Sequence, residues 1–190
     1  MSEVTTARRV VPQADAGQFD AVSIGLHWLT VALVTGQFVT ASLFDHATDR
    51  HALLLTVHRS AGLVTLTVIV TRFAWRHTFA RLPPFPAGMA RLQQRLATLN
   101  EYGLYACMLL QPLTGLGDTL SRGRPFMVFA WRVPALWPAN KQVQQVLHAL
   151  HEGGAQALVA LIGVHVAAAL LHAFVLRDGV FQRMWPVRRG

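Results

Sequence analysis

The stretch between Glu152 and Arg177 limits what this chain can fold into more than any other part of the sequence. Its 24 residues, 153–176, contain no Asp, Glu, Lys or Arg. Because an α-helix rises about 1.5 Å per residue, this stretch is long enough to cross a hydrocarbon layer of about 30 Å. We therefore predict a membrane-spanning helix.

The composition of the whole chain also suits a bilayer. Of its 190 residues, 53% are hydrophobic and 14% are charged, whereas soluble domains have roughly 45–50% and 25%. The net charge of +8 can indicate nucleic-acid binding, but the basic residues lie at the ends of apolar runs, so we interpret them as topology signals. The single cysteine, Cys107, excludes an intrachain disulfide and a Cys-based zinc or iron–sulfur site.

Three further apolar stretches, at residues 21–44, 52–75 and 96–116, predict three more spans. The fold class expected is an all-α integral membrane four-helix bundle. No internal repeat is evident in the sequence. We interpret residues 21–186 as one domain that follows a polar N-terminal tail, residues 1–20.

Counting Arg and Lys on the connections predicts the orientation of the bundle. One side holds ten arginines (Arg8, Arg9, Arg76, Arg81, Arg91, Arg95, Arg177, Arg183, Arg188 and Arg189). The other side holds five basic residues (Arg50, Arg122, Arg124, Arg132 and Lys141). The positive-inside rule then places both termini in the cytoplasm. We call the cytoplasmic end of the bundle inner and the opposite end outer.

Histidines share one face of the fourth span. His151, His165 and His172 are spaced by 14 and 7 residues, which returns each to nearly the same helix face. Imidazole in lipid is costly unless it has a partner. The predicted orientation puts His165 at the depth of His27 in the first span, and His151 at the depth of His58 in the second. Each facing pair can hold one haem iron axially between helices.

Other side chains are placed relative to these pairs. Arg72 follows His58 by 14 residues, so it lies on the same face about 21 Å deeper, where it can meet a haem propionate of the inner pair. Arg59 joins the basic outer surface, which attracts an anion. His172 has no histidine partner at its depth and is interpreted as a polar or proton-handling residue. Two alternatives stay open: metal transport, and histidines that only form hydrogen bonds in the packing.

The motifs that carry these residues resemble those of the prokaryotic cytochrome b561 family, which are di-haem four-helix membrane cytochromes. The matching stretches are LHWL at 26–29, VHRSAG at 57–62, RFAWR at 72–76, LYACMLLQPLTG at 104–115, LHEGGA at 150–155 and HVAAALLHAFVLRDGVFQRMWP at 165–186. The resemblance implies two haems b, with His27, His58, His151 and His165 as their axial ligands.

The resemblance also implies a location, the bacterial inner membrane, and an activity. Members of the superoxide oxidase type are oxidoreductases that pass electrons from superoxide at the outer face to ubiquinone near the inner face. Others are membrane electron carriers for a partner dehydrogenase, hydrogenase or periplasmic redox protein. Here such a partner would dock on the connection with Trp131 and Trp137, and a homodimer is a further possibility. The family commonly has a histidine four residues before the tyrosine of its third span, where this chain has Glu101. We take Glu101, His172 and Arg177 as candidate proton or quinone contacts.

Overall fold

A computed structural model describes residues 17–44 and 48–186 of the chain. The predictions that concern most of the N-terminal tail, Arg188 and Arg189 lie outside the described residues.

Four long helices follow one another along the chain. They are α1 (Ala21–Ser42), α2 (His51–Thr78), α3 (Arg91–Ser121) and α4 (Lys141–Leu170). A π-helical turn, Leu171–Leu176, continues α4, and short 3-10 turns lie at Thr48–Arg50 and Phe181–Met184. The predicted all-α four-helix fold is confirmed.

Three of these helices are long and apolar enough to cross a membrane: α1, α2 and the continuous helix Lys141–Leu176. Helix α3 has 31 residues but is less apolar, since it contains charged residues near both ends. Its bounds extend five residues beyond the predicted span on each side, and α4 begins well before residue 153. Apolarity predicts the part of a helix within lipid, whereas the helix itself continues to its cap. For α4 that cap is Asn140, whose side chain accepts a hydrogen bond from Val143 N at 3.1 Å.

The connection between α3 and α4 contains an antiparallel hairpin that the sequence did not predict. Its strands are β1 (Phe126–Val128) and β2 (Trp131–Val133), and Phe126 pairs with Val133. The backbone N–H of Phe129 donates to Ser60 Oγ in α2 at 2.6 Å, with φ of 51° at Phe129. The hairpin is thereby attached to α2 one turn or less from His58.

Asp20 determines where α1 begins. Its carboxylate accepts hydrogen bonds from Ser23 N at 2.9 Å and Ser23 Oγ at 2.7 Å, which caps the helix. It also accepts from Trp75 Nε1 at 3.0 Å, which joins the start of α1 to the end of α2. Burial alone would raise the pKa of Asp20, but the hydrogen bonds from Ser23 and Trp75 outweigh it and lower the pKa below its ordinary value.

The helices pack in chain order, α1 on α2, α2 on α3 and α3 on α4. A buried cluster lies between the two ends of the bundle and consists of Val34, Ile69, Tyr105, Met108 and Leu158, with Cys107 packed against it. Helix α4 packs much more closely on α3 than on α1 or α2. Its histidines therefore face helices that stand apart from its own backbone.

Candidate haem sites

His58 of α2 and His151 of α4 face each other at the outer end of the bundle. Their ring centroids are 6.3 Å apart, and the ring planes are inclined at 82°. Both side chains are partly buried. The structure thus brings together the two residues that their predicted depths had paired.

Each outer histidine is held by the helix that precedes its own. His58 Nδ1 is 3.0 Å from Thr40 Oγ1 of α1. His151 Nδ1 donates to the carbonyl oxygen of Gln111 at 2.9 Å and is 3.2 Å from Thr114 Oγ1 of α3. Because a carbonyl oxygen only accepts, this contact puts the proton of neutral His151 on Nδ1 and leaves the lone pair on Nε2 for a metal.

His27 of α1 and His165 of α4 face each other at the inner end. Their ring centroids are 6.2 Å apart, with the planes inclined at 57°. His27 is partly buried and also contacts Trp28 edge-on, at 5.6 Å between ring centroids. The inner pair therefore matches the outer one in separation but joins a different pair of helices.

These separations suit two imidazoles that share one metal between them. With metal–nitrogen bonds of about 2 Å and about 1 Å from each nitrogen to its ring centre, two axial imidazoles have centroids about 6 Å apart. Ring pairs that only pack together have centroids about 4.5–7 Å apart. Two pairs within 0.1 Å of each other, both between helices that stand apart, fit the same planar iron cofactor.

Arg72 lies at the inner pair, with its Nη2 3.1 Å from His27 Nδ1. A guanidinium only donates, so in this contact Nδ1 of His27 is the acceptor. An imidazole that binds iron through Nε2 carries a proton on Nδ1 instead. The outer pair therefore fits the cofactor as it stands, and the inner pair fits it once Arg72 turns away from His27. Arg72 would then be free to hold a carboxylate such as a haem propionate.

A group of polar side chains from α2 and α3 lies beside the inner pair. Arg76 Nη2 donates to Glu101 Oε2 at 2.8 Å. The guanidinium of Arg72 lies over the ring of Tyr105, with its central carbon 5.4 Å from the ring centroid. Arg72, Arg76, Glu101 and Tyr105 line one small pocket, together with Phe19, Ser23, Trp75, Leu82 and Met184. We call these four polar residues the inner polar cluster.

His172 and Arg177 lie apart from that cluster. His172 is in the π-helical turn, and its Nδ1 is 2.6 Å from Asp178 Oδ2. Arg177 ends the turn in the left-handed conformation, with φ of 50°, and its Nε donates to the carbonyl oxygen of Phe174 at 3.1 Å. Neither residue lines the pocket of the inner polar cluster. Of the three candidates for proton or quinone contacts, only Glu101 does.

Arg59 lies at the outer end, directly after His58. Its guanidinium carbon is 5.8 Å from the centroid of the Phe126 ring in the hairpin. The hairpin itself is well exposed, since 80% of Trp131 and 59% of Phe129 are accessible. Arg59 therefore links the outer histidine pair, His58 and His151, to the exposed connection between α3 and α4.

Several residues of these sites were missed in the sequence. Gln37, Thr40, Gln111 and Thr114 contact the outer histidines, Arg76 and Tyr105 belong to the inner polar cluster, and Asp178 pairs with His172. A signal did exist for the first four, because the pattern Gln-x-x-Thr occurs once in the first span and once in the third.

Fold and site together define a class: a helical membrane protein with two pairs of facing imidazoles at opposite ends of its bundle. Within the described ranges, no group of three or more His, Cys, Asp or Glu side chains is placed to hold a bare metal ion. The two facing pairs suit a planar iron cofactor held between two imidazoles.

The chain belongs to the prokaryotic cytochrome b561 family, whose family model matches residues 18–187. It is 28% identical over 174 residues to a probable superoxide oxidase, CybB, of Yersinia pestis, covering 91% of this chain and 98% of that protein. It is 26% identical over 178 residues to cytochrome b561 homolog 1 of Escherichia coli strain K12, covering 90% and 99%. Membership implies haem b and electron transfer in a membrane.

Proposed function

We propose that this protein is a superoxide:ubiquinone oxidoreductase that binds two haems b, with residues 21–186 as its haem-binding domain and residues 1–20 as a cytoplasmic tail. His58 and His151 hold the outer haem, and His27 and His165 hold the inner one. Both termini face the cytoplasm of a bacterial inner membrane. The similarity to a probable superoxide oxidase favours this activity within the family.

The observation that carries the proposal is the pair of matched imidazole separations, 6.3 Å at the outer end and 6.2 Å at the inner end. A single pair could be a packing contact. Two pairs at opposite ends of one bundle give two redox centres in series across the membrane. Haem iron held by these four histidines would supply one-electron transfer, and a donor would not need to bind the metal.

The outer end has the charge that an anionic donor requires. Arg59, Arg122, Arg124 and Arg132 lie on this side, and one of them, Arg122, is paired with Asp118 at 2.8 Å. The positive surface raises the local concentration of superoxide and its encounter rate. Each superoxide gives up one electron and leaves as dioxygen.

The inner polar cluster is the place where we expect ubiquinone to be reduced. Two electrons, one from each of two superoxide anions, and two protons from the cytoplasm convert ubiquinone to ubiquinol. Arg72 and Tyr105 can donate hydrogen bonds to a quinone oxygen. Glu101 can pass protons, and its ion pair with Arg76 keeps the carboxylate near the pocket. His172, paired with Asp178, is a candidate for proton uptake at the inner surface, and Arg177 for an interfacial contact.

The test is to add a superoxide source and a soluble ubiquinone to the purified protein in detergent, with no other protein present. We expect one ubiquinol to form for every two superoxide anions that are consumed. The Glu101→Gln variant should reduce ubiquinone more slowly while its haems are still reduced by superoxide. Wild-type haems that superoxide leaves oxidised would contradict the proposal.

That negative result would instead favour an electron-transfer subunit for a partner redox protein. This second function is favoured by two exposed tryptophans, Trp131 and Trp137, on the connection between α3 and α4. A partner donor should then reduce the haems, and Trp131→Ser should slow that reduction without changing haem content.

A further inference from the structure

The two halves of the bundle repeat the same contacts around the outer histidines. In α1, Gln37 Nε2 donates to the carbonyl oxygen of His58 at 3.1 Å, while Thr40 Oγ1 meets the ring of the same histidine. In α3, Gln111 Nε2 donates to the carbonyl oxygen of His151 at 3.0 Å, while Thr114 Oγ1 meets its ring. Each Gln-x-x-Thr thus contacts both the backbone and the imidazole of one histidine.

This correspondence extends along the two helix pairs, α1–α2 and α3–α4, and corrects the prediction that the chain has no internal repeat. Gln37 and Gln111 lie ten residues after His27 and Glu101, respectively. Likewise, Arg72 and His165 each lie fourteen residues after an outer histidine. The sequence hides the repeat because the matching positions carry different residues at the inner end.

The repeat is therefore symmetric at the outer pair and asymmetric at the inner one. At the outer end, His58 matches His151, and each has a glutamine amide at its carbonyl oxygen and a threonine hydroxyl at its ring. At the inner end, His27 corresponds to Glu101, and His165 to Arg72. The imidazole pair of His27 and His165 thus corresponds to the carboxylate of Glu101 and the guanidinium of Arg72.

The two threonine hydroxyls are arranged to accept a hydrogen bond from the histidine rings. Thr40 Oγ1 is 2.9 Å from the carbonyl oxygens of Gly36 and Gln37, to which its hydroxyl donates. Thr114 Oγ1 is 2.9 Å and 3.0 Å from those of Leu110 and Gln111. With its proton used in this way, each hydroxyl offers a lone pair to the Nδ1–H of its histidine.

We propose that Thr40 and Thr114 are positioning residues that fix the Nδ1–H tautomer of the outer histidines and lower the reduction potential of the outer haem relative to the inner one. An acceptor on Nδ1–H makes an imidazole a stronger ligand, which favours ferric iron. At the inner end, the side chain within hydrogen-bond distance of His27 Nδ1 is Arg72, which only donates, so it offers Nδ1–H no acceptor before or after it turns away. The difference directs electrons inward, and the inference rests on the proposed haem ligands.

The test is a spectroelectrochemical titration of purified Thr40→Val and Thr114→Val variants, which resolves the two haem midpoint potentials. Valine has nearly the shape of threonine but cannot accept the hydrogen bond. We expect the outer midpoint to rise in both variants and the inner midpoint to stay unchanged. The rise should be larger in Thr40→Val, because His151 keeps the carbonyl of Gln111 as an acceptor.

Thr67→Val is the matched control, since Thr67 lies in α2, is exposed, and its hydroxyl donates to the carbonyl oxygen of Leu63 at 3.0 Å. It should leave both potentials unchanged. If a valine variant loses its outer haem, Thr40→Ser, which keeps the hydroxyl, should restore both the haem and its potential. Unchanged outer potentials in valine variants that retain two haems would overturn this inference alone. A wild type without two haems would overturn the proposed function as well.

Discussion

At the scale of single residues, the outer histidines are held at both ends, their carbonyls by glutamine and their rings by hydroxyls or a carbonyl. The inner pair is less constrained, because the hydrogen-bond partner of His27 is the long side chain of Arg72. Iron binding at His27 must break that hydrogen bond. We therefore expect the outer haem to bind with less rearrangement of the protein than the inner one.

Replacing one ligand should remove one haem. In His151→Ala, the outer haem loses its α4 ligand, and in His165→Ala the inner haem loses its own. Each variant should retain about half of the wild-type haem content, measured as the haem-to-protein ratio, with reduced spectra that sum to the wild-type spectrum. Loss of both haems, or of neither, would contradict the pairing.

Asp20 should contribute stability that depends on pH. Its folded-state pKa is lowered, so the carboxylate stabilises the fold above its unfolded pKa near 4, and this contribution is lost as the pH falls through the folded pKa. Asp20→Ala should lose about 1 kcal/mol, typical of a helix cap, at pH 7. Melting temperatures in detergent would test this, and a variant whose deficit persisted unchanged at pH 2–3 would contradict it.

The residue-level predictions from sequence succeeded where helix periodicity decides the outcome. The 14-residue spacing put Arg72 near His27 because helical rise and rotation are the same in any helix. The hydroxyls of Thr40 and Thr114 could not be predicted in the same way. Which neighbour faces a histidine depends on the rotation of a second helix about its own axis, and that is set by packing.

At the scale of helices, α3 is the support for α4 rather than a source of haem ligands. It packs along α4, supplies Gln111 and Thr114 to His151, and has a glycine, Gly115, where the ring lies closest. A β-carbon at Gly115 would be 2.9 Å from His151 Cε1.

Gly115→Ala should therefore displace the His151 ring and weaken the outer haem. The added methyl group cannot fit without a shift, and His151 is the side chain it meets. We expect a lower haem-to-protein ratio or an altered outer-haem spectrum. The control is Gly153→Ala, where a β-carbon meets nothing within 4 Å. Equal haem content in the two variants would contradict this account of α3.

The hairpin between α3 and α4 could not be predicted because its strands are only three residues each. Such short strands carry no periodic signal, and this pair is held by tertiary contacts to Ser60 and Arg59 of α2. The extents of α3 and α4 were also underestimated, since both continue into polar sequence.

At the scale of the whole molecule, charge distribution and the two histidine levels define a direction. Outer pair, inner pair and inner polar cluster follow one another along the bundle, and the proposed function has an anionic donor at the outer end. Hydropathy predicted the bundle, and the orientation drawn from charge stays a prediction. The break in symmetry between the two inner positions became visible only when the halves were compared in three dimensions.

Attraction of superoxide to the outer surface should depend on salt. Exposed charges are screened over about 30 Å at 0.01 M ionic strength but about 10 Å at 0.1 M. The rate of haem reduction by superoxide should therefore fall as salt rises, and the dependence should weaken in an Arg124→Gln, Arg132→Gln double variant. Arg91→Gln, at the inner end, serves as the control. A rate independent of salt in the wild type would contradict electrostatic attraction.

The most direct test of the central claim is the haem-to-protein ratio of the purified protein, measured together with its reduced-minus-oxidised spectrum. The two imidazole pairs predict two haems b per chain, both with the low-spin spectrum of iron held by two histidines. A ratio of one haem or none, or a spectrum of iron with an open axial position, would contradict the account.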